Sequence, residues 1–186
     1  MSDGWTDEEP ALEKGGMPMA KRIYVADDEK NICFLIQNFL EKEGFEVTVD
    51  AQDLCPRYIA HYVYDVKLGQ SPAWMRRRLA LVGNNSISNI VDITNYIMRE
   101  LGQPLHAFDC NFLEGNAIQV RRANEGEKIV TLDEKEFTLN PNNLVICDGK
   151  KPVALAGIMG GLNSEIRDTT TEVMFESAKF ARDNIR

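Results

Sequence analysis

The chain has 186 residues, of which 44% are hydrophobic and 8% aromatic, so it can bury one core or at most two small ones. It has no apolar run near the roughly 20 residues that span a bilayer and no basic-then-apolar secretory signal, so we predict a cytoplasmic protein without membrane contact. The net charge of −8 comes from the front, because residues 1–50 hold 12 acidic and 5 basic side chains, whereas residues 51–186 hold 17 and 16.

Four cysteines are scattered along the chain, at Cys33, Cys55, Cys110 and Cys147. None forms a Cys-x-x-Cys pair and none has a neighbouring histidine, so the pattern indicates neither a zinc site nor a disulfide framework. We predict reduced, mostly buried thiols.

The first 50 residues fall into two parts. Residues 1–18 are acidic and lack periodic apolar residues, which predicts a disordered tail. The run KRIYVADD then has the pattern of a buried strand, residues 29–42 carry an apolar helical stripe, and FEVTV alternates as a second strand. This order predicts a β-α-β unit with a parallel strand pair.

Two helices are predicted next. Ser71 and Pro72 are a good N-cap and first-turn pair for a helix that runs to Val82. Isoleucines at helical spacing from Ile90 onward predict a second helix that ends near Gly102. We interpret the residues on either side of these helices as two strands around Pro56 and as a polar loop, GQPLHAFD.

The remainder shows short strand patterns separated by turn residues. They are AIQVRRA, KIVTL, EFTL, NLVIC, PVALAGI and EVMFE. The predicted fold class is therefore α/β (α+β), with a β-α-β unit over residues 19–50 joined to a mixed, mainly β module over residues 51–186.

Residues 19–50 resemble the opening of a response-regulator receiver domain. The resemblance makes Asp27 and Asp28 weak candidates for magnesium ligands, since that family holds the ion with an acidic pair beside a phosphoacceptor aspartate. The third strand and its phosphoacceptor have no counterpart after Val49. We therefore interpret the two aspartates as caps of the following helix and predict no phosphorelay activity.

Six motifs in order carry a second resemblance, to the editing module of the phenylalanyl-tRNA synthetase β subunit. They are DLCPRY, SPAWMRRRL, NIVDITNYIM, LGQPLHAFD, ALAGIMGG and FESAKF. The resemblance covers residues 53–186 and implies a module that is truncated at its C-terminus. The segment EGFEVTVDAQDLCPRY suits either a receiver's second strand or the strand that precedes DLCPRY in the synthetase, so we interpret the chain as a fusion made across this strand.

The synthetase resemblance implies hydrolysis of tyrosine mischarged onto tRNA(Phe), with no cofactor and no metal. Its partners would be the acceptor end of the tRNA carrying tyrosine and, in the parent enzyme, the synthetase α subunit. The family's positions match His106 and Glu176 as catalytic residues and Gly160 as the residue that leaves room for the aromatic ring. Asn95 and Asn85 are further substrate-binding candidates, although Asn84-Asn85 stands where many members have a basic residue.

Each of these residues also has a structural interpretation. His106 could be a core histidine between Leu105 and Phe108, and Glu176 could be a carboxylate that ends a strand. Gly160 and Gly161 could form a tight turn that needs positive φ.

Three functions stay open on sequence grounds. The first is editing of tyrosyl-tRNA by a truncated module. In the family the chain continues with a Thr-x-Ala element that lines the same pocket, so for this chain we expect weak hydrolysis or none. The alternative is a non-catalytic chimeric scaffold, and the third is phosphoryl transfer on Asp27 and Asp28.

Overall fold

The computed structural model describes the backbone of residues 22–27 and all of residues 46–185. Two α-helices, three short 3-10 helices and eleven strands make up the regular structure of the described part. The helices are α1 (Ala73–Leu81) and α2 (Asn89–Leu101). The strands are β1 (Arg22–Asp27), β2 (Glu46–Val49), β3 (Arg57–Val63), β4 (Leu105–Asp109), β5 (Ala117–Arg122), β6 (Lys128–Val130), β7 (Glu136–Thr138), β8 (Leu144–Cys147), β9 (Pro152–Leu155), β10 (Met159–Gly160) and β11 (Val173–Lys179).

The strands form two main sheets and one hairpin. One sheet is antiparallel with the order β1-β3-β11-β4, and the other has the order β10-β9-β8-β5-β2. In the second sheet β2 pairs parallel to β5, while the remaining pairs are antiparallel. Strands β6 and β7 form the hairpin. The predicted mixed, mainly β architecture is confirmed.

The largest core lies between the two sheets. The four-stranded sheet contributes Tyr58, Phe108 and Met174, all fully buried, and the other sheet contributes Ile118 and Val153, equally buried. Side chains from two sheet faces that pack together in this way remove apolar surface from water and fix the distance between the sheets. Cys55, Cys110 and Cys147 are buried free thiols, and Cys33 lies outside the described residues.

Local signals explain where the helices begin and end. The Ser88 hydroxyl accepts a hydrogen bond from the Val91 N–H and caps α2, and Gly102, at φ +71°, closes the helix in a left-handed conformation. The predicted second helix is confirmed. Helix α1 begins at Ala73 with Pro72 as its N-cap, so Ser71 does not cap it as predicted; its side chain is buried before the helix starts.

Three predictions about the strands are wrong. Strands β1 and β2 lie in different sheets, one antiparallel to β3 and the other parallel to β5, so they do not form the predicted parallel pair. The predicted loop GQPLHAFD contains β4, which pairs with β11. One strand, β3, follows Pro56, where two were predicted around it. The predicted tail and the helix over residues 29–42 lie outside the described residues.

The physical reason is common to all three cases. A strand needs a neighbour for its N–H and C=O groups, and the folded sheets determine which edge is free to pair with it.

In the described part of the chain, no helix is long and apolar enough to cross a membrane.

Candidate functional site

A cavity of about 840 Å³ opens where the two sheets meet the hairpin loop and the C-terminal residues. Its wall includes His106 on β4, Glu176 on β11 and Gly160 on β10. The structure therefore brings together three residues that the sequence singled out, although they lie up to 70 positions apart.

Glu176 is the buried acid of this cavity. Its relative exposure is 6%, and its Oε2 accepts a hydrogen bond of 2.9 Å from the hydroxyl of Tyr58. Burial raises the pKa of Glu176 from 4.5 to about 7, while the Tyr58 hydroxyl partly offsets that rise by stabilising the charged form. Near neutral pH the carboxyl group can thus act as a hydrogen-bond acceptor or as a proton donor.

His106 stands directly opposite Glu176, since the two residues are cross-strand partners in the β4–β11 pair. The side chain is half-buried, and its ring packs edge-on against Phe108 with centroids 4.6 Å apart. Burial lowers the pKa of His106 from 6.5 to about 4, so the imidazole is neutral at physiological pH. A neutral imidazole can accept a proton from a bound water as well as donate a hydrogen bond.

Gly160 is required by the histidine. A Cβ at this position would lie 2.7 Å from His106 Nε2 and nearer still to Cε1, so only glycine lets the ring occupy this place. The space above Gly160 is thus filled by the imidazole, and the glycine makes room for a protein side chain. Gly160 and Gly161 are not among the positive-φ residues, so the tight-turn interpretation is wrong; the positive φ in this turn belongs to Gly157.

The rest of the cavity wall separates into an apolar part and a charged rim. Apolar side chains come from the hairpin loop, the β8–β10 sheet and the C-terminal residues, and they include Leu132, Ile146, Leu155, Ile158, Met159, Phe180 and Ile185. Three exposed cations, Arg57, Lys179 and Arg182, also line it. Such a cavity suits a ligand with an aromatic group and an anionic extension.

Two predicted site residues lie elsewhere. Asn95 is half-buried in α2 and Asn85 is exposed in the connection between the helices, and neither lines the cavity. Asp27 ends β1, and Asp28 lies outside the described residues. Within residues 46–185, no group of three or more His, Cys, Asp or Glu side chains is placed to hold a metal ion.

Sequence reasoning missed Tyr58 and the three rim cations. Arg57 and Tyr58 belong to the motif DLCPRY, and Lys179 belongs to FESAKF. The alternation of side chains along a strand predicts that Ala178 and Glu176 share one face of β11. It does not predict that β3 is the neighbouring strand, and only that pairing brings Tyr58 to the same face.

Comparison with known proteins gives a consistent picture. The family described as B3/4 domain matches residues 54–186. The β subunit of phenylalanine–tRNA ligase from Syntrophus aciditrophicus is 58% identical over 148 residues, covering 77% of this chain and 18% of the relative. The corresponding subunit from Geobacter sulfurreducens is 54% identical over 140 residues, covering 75% and 18%. The chain thus spans about a fifth of the length of these relatives.

A solved structure shares the fold. The crystal structure of an N-terminal fragment of the phenylalanyl-tRNA synthetase β subunit from Pyrococcus horikoshii superposes with a TM-score of 0.55 at 14% identity. The match covers 76% of this chain and 45% of that fragment.

These matches bear on the origin of β2. Since 77% of 186 residues is about 143, a continuous matched stretch of that length must begin at or before residue 44 and so contains β2. The strand therefore belongs to the part that resembles the ligase subunit. The matches give no support to the receiver-like interpretation of residues 19–50 or to a fusion.

Proposed function

The chain belongs to the B3/4 domain family, and from that premise we propose that it is the editing part of a phenylalanine–tRNA ligase β subunit. The reaction is hydrolysis of the ester that joins a mischarged tyrosine to tRNA(Phe). The observation that carries the proposal is the pair His106 and Glu176, opposed across two strands in the wall of a largely apolar cavity.

The need for such a site follows from the chemistry of the two amino acids. Tyrosine exceeds phenylalanine by one hydroxyl, and an apolar synthetic pocket rejects an added hydroxyl only about a hundredfold. A second site that binds the hydroxyl with a buried polar group discriminates in the opposite direction, because phenylalanine leaves that group without a partner. Glu176 is such a group, since it is buried and lines the cavity.

The proposed role of His106 is to assist recognition of the tyrosyl group or to place the attacking water. Its imidazole is neutral because burial lowers its pKa to about 4, so one ring nitrogen is available to accept a proton. The ring is fixed by the Phe108 edge contact on one side and by Gly160 on the other. This neutral acceptor lies beside the buried carboxyl group, on the strand that pairs with it.

The rim accounts for the nucleic-acid half of the substrate. Arg57, Lys179 and Arg182 line the cavity with exposed positive charge, which favours the phosphates of a tRNA acceptor end. The second proposed partner is the α subunit of the ligase, which would assemble with the full-length β subunit.

The test is the rate of deacylation of tyrosyl-tRNA and of phenylalanyl-tRNA by the parent protein and by the variants Glu176→Gln and Glu172→Gln. Glu172 is a matched control, because its Oε2 also accepts a tyrosine hydroxyl, that of Tyr62, yet it does not line the cavity. We expect weak hydrolysis that prefers the tyrosyl ester, is lost in Glu176→Gln and is kept in Glu172→Gln.

Two results would overturn the proposal. Background rates for both esters with the parent protein would support the non-catalytic scaffold instead. Equal activity of Glu176→Gln and the parent protein would remove the carboxylate from the mechanism.

A further inference from the structure

The buried hydroxyl of Tyr58 contacts the carboxyl group of Glu176, which lines the cavity. Tyr58 has 0% exposure, and its hydroxyl donates to Glu176 Oε2 at 2.9 Å. In the β3–β11 register Tyr58 pairs with Ala178, and Glu176 pairs with Ala60, so the contact runs diagonally across two strands. The diagonal spacing is within reach of an aromatic side chain, and the short side chain of Ala60 leaves the path open.

Among the residues that the structure describes, Tyr58 is the one hydrogen-bond partner of the Glu176 carboxyl group. A glutamate side chain has three rotatable bonds, and a single strong contact to a buried, rigid ring selects one orientation. Oε2 thereby carries the Tyr58 bond, and no described residue donates to Oε1, so Oε1 is the oxygen available to a ligand in the cavity that Glu176 lines.

We propose that Tyr58 is a positioning residue, which holds one oxygen of Glu176 so that the other oxygen meets the phenol of a bound tyrosyl group. The inference rests on the proposed function for the identity of the ligand. It adds a role for a residue that does not itself line the cavity. Tyr58 acts through Glu176 and does not touch the substrate.

Other groups around the carboxyl leave Tyr58 as its specific partner. The thiol of Cys55 lies near Glu176, but burial and the Glu176 charge raise its pKa to about 12, so it stays neutral. His106 on β4 is neutral above its pKa of about 4. The charged groups that face the same cavity are Arg57, Lys179 and Arg182, which are exposed to water at the rim.

The experiment compares Tyr58→Phe with Tyr62→Phe. Tyr62 lies on the same strand and donates to the Glu172 carboxylate at 2.7 Å, so its variant removes the same chemical group away from the cavity. Two quantities are measured for each folded protein. One is the Kd for 3′-tyrosylamino-adenosine and for 3′-phenylalanylamino-adenosine, two amides that resist hydrolysis. The other is the titration midpoint of Glu176, followed by the resonance of its side-chain carboxyl carbon in ¹³C-labelled protein.

We expect Tyr58→Phe to reduce the preference for the tyrosyl amide about fivefold, the equivalent of one hydrogen bond. The same variant should raise the Glu176 midpoint by about half to one pH unit, because the bond to the charged form is lost. Tyr62→Phe should change neither quantity. In a Glu176→Gln background, Tyr58→Phe should have no further effect on the preference.

An unchanged Glu176 midpoint in Tyr58→Phe, or an equal loss of preference in Tyr62→Phe, would overturn the inference. Equal binding of both amides by the parent protein would instead reject the proposed function. In that event a raised midpoint in Tyr58→Phe still supports the positioning of the carboxylate, so the two failures are distinguishable.

Discussion

Replacement of Glu176 by glutamine should make the protein more stable at pH 8 and leave it nearly unchanged at pH 4.5. The wild-type carboxyl has its pKa raised to about 7 by burial, against 4.5 in its ordinary state. The folded protein therefore holds the proton more tightly than the unfolded chain does. This stabilisation is fully present below about pH 4.5 and is lost as the pH rises through about 7.

The magnitude follows from the same two values. A difference of about 2.5 pH units corresponds to at most about 3 kcal/mol of unfolding free energy, at 1.36 kcal/mol per unit. His106 opposes this effect, because its pKa is lowered to about 4 and its contribution is present above pH 6.5 and lost as the pH falls through 4. Between pH 4.5 and 6.5 the pH dependences that the two groups give to the unfolding free energy of the parent protein nearly cancel. The difference in unfolding free energy between parent and variant is therefore the informative quantity.

Urea unfolding at pH 4.5, 6, 7 and 8 measures that difference. The free-energy gap between Glu176→Gln and the parent should grow with pH towards about 3 kcal/mol. A gap that stays constant across this range, or a variant that becomes less stable than the parent at pH 8, would refute the assignment of Glu176 as a buried acid with a raised pKa.

Three further outcomes are expected. Gly160→Ala should cost about 1–3 kcal/mol in urea unfolding and abolish selective hydrolysis, because the added Cβ meets the His106 ring, whereas Gly69→Ala meets no atom within 4 Å and serves as control. Thr170→Val should cost about 2–3 kcal/mol by thermal or urea unfolding, since the Thr170 hydroxyl donates to buried Asp109 Oδ2 at 2.6 Å and the carboxylate loses that bond. Ser88→Ala should cost about 1 kcal/mol through loss of the α2 cap; unchanged stability in either of these last two variants would contradict the hydrogen bonds assigned to them.

Local patterns in the chain were sufficient for the elements that depend on local rules. Helix α2 has its own cap at Ser88 and its own terminator at Gly102, so its bounds follow from the sequence. The strands from β5 to β9 have apolar runs bounded by turn residues, and their positions were also predictable.

Strand β4 is an element that its local sequence does not predict. The segment GQPLHAFD contains Gly, Pro and polar residues that favour a loop. It becomes a strand at Leu105–Asp109 because β11, almost 70 residues later, supplies hydrogen-bond partners along its whole length. The same pairing creates the candidate site, since it sets His106 opposite Glu176.

The sequence by itself singled out His106, Gly160 and Glu176 through the motifs in which they are embedded, and the structure places all three at one cavity. It also determined where α2 ends and the positions of most strands, because these depend on side chains that are close in the chain. The tertiary structure decided which strands are neighbours, that the Tyr58 hydroxyl reaches Glu176, and that Gly160 makes room for His106. The contacts of Tyr58 with Glu176 and of Gly160 with His106 join residues 118 and 54 positions apart. No local pattern encodes a contact whose partner is selected by sheet order and burial.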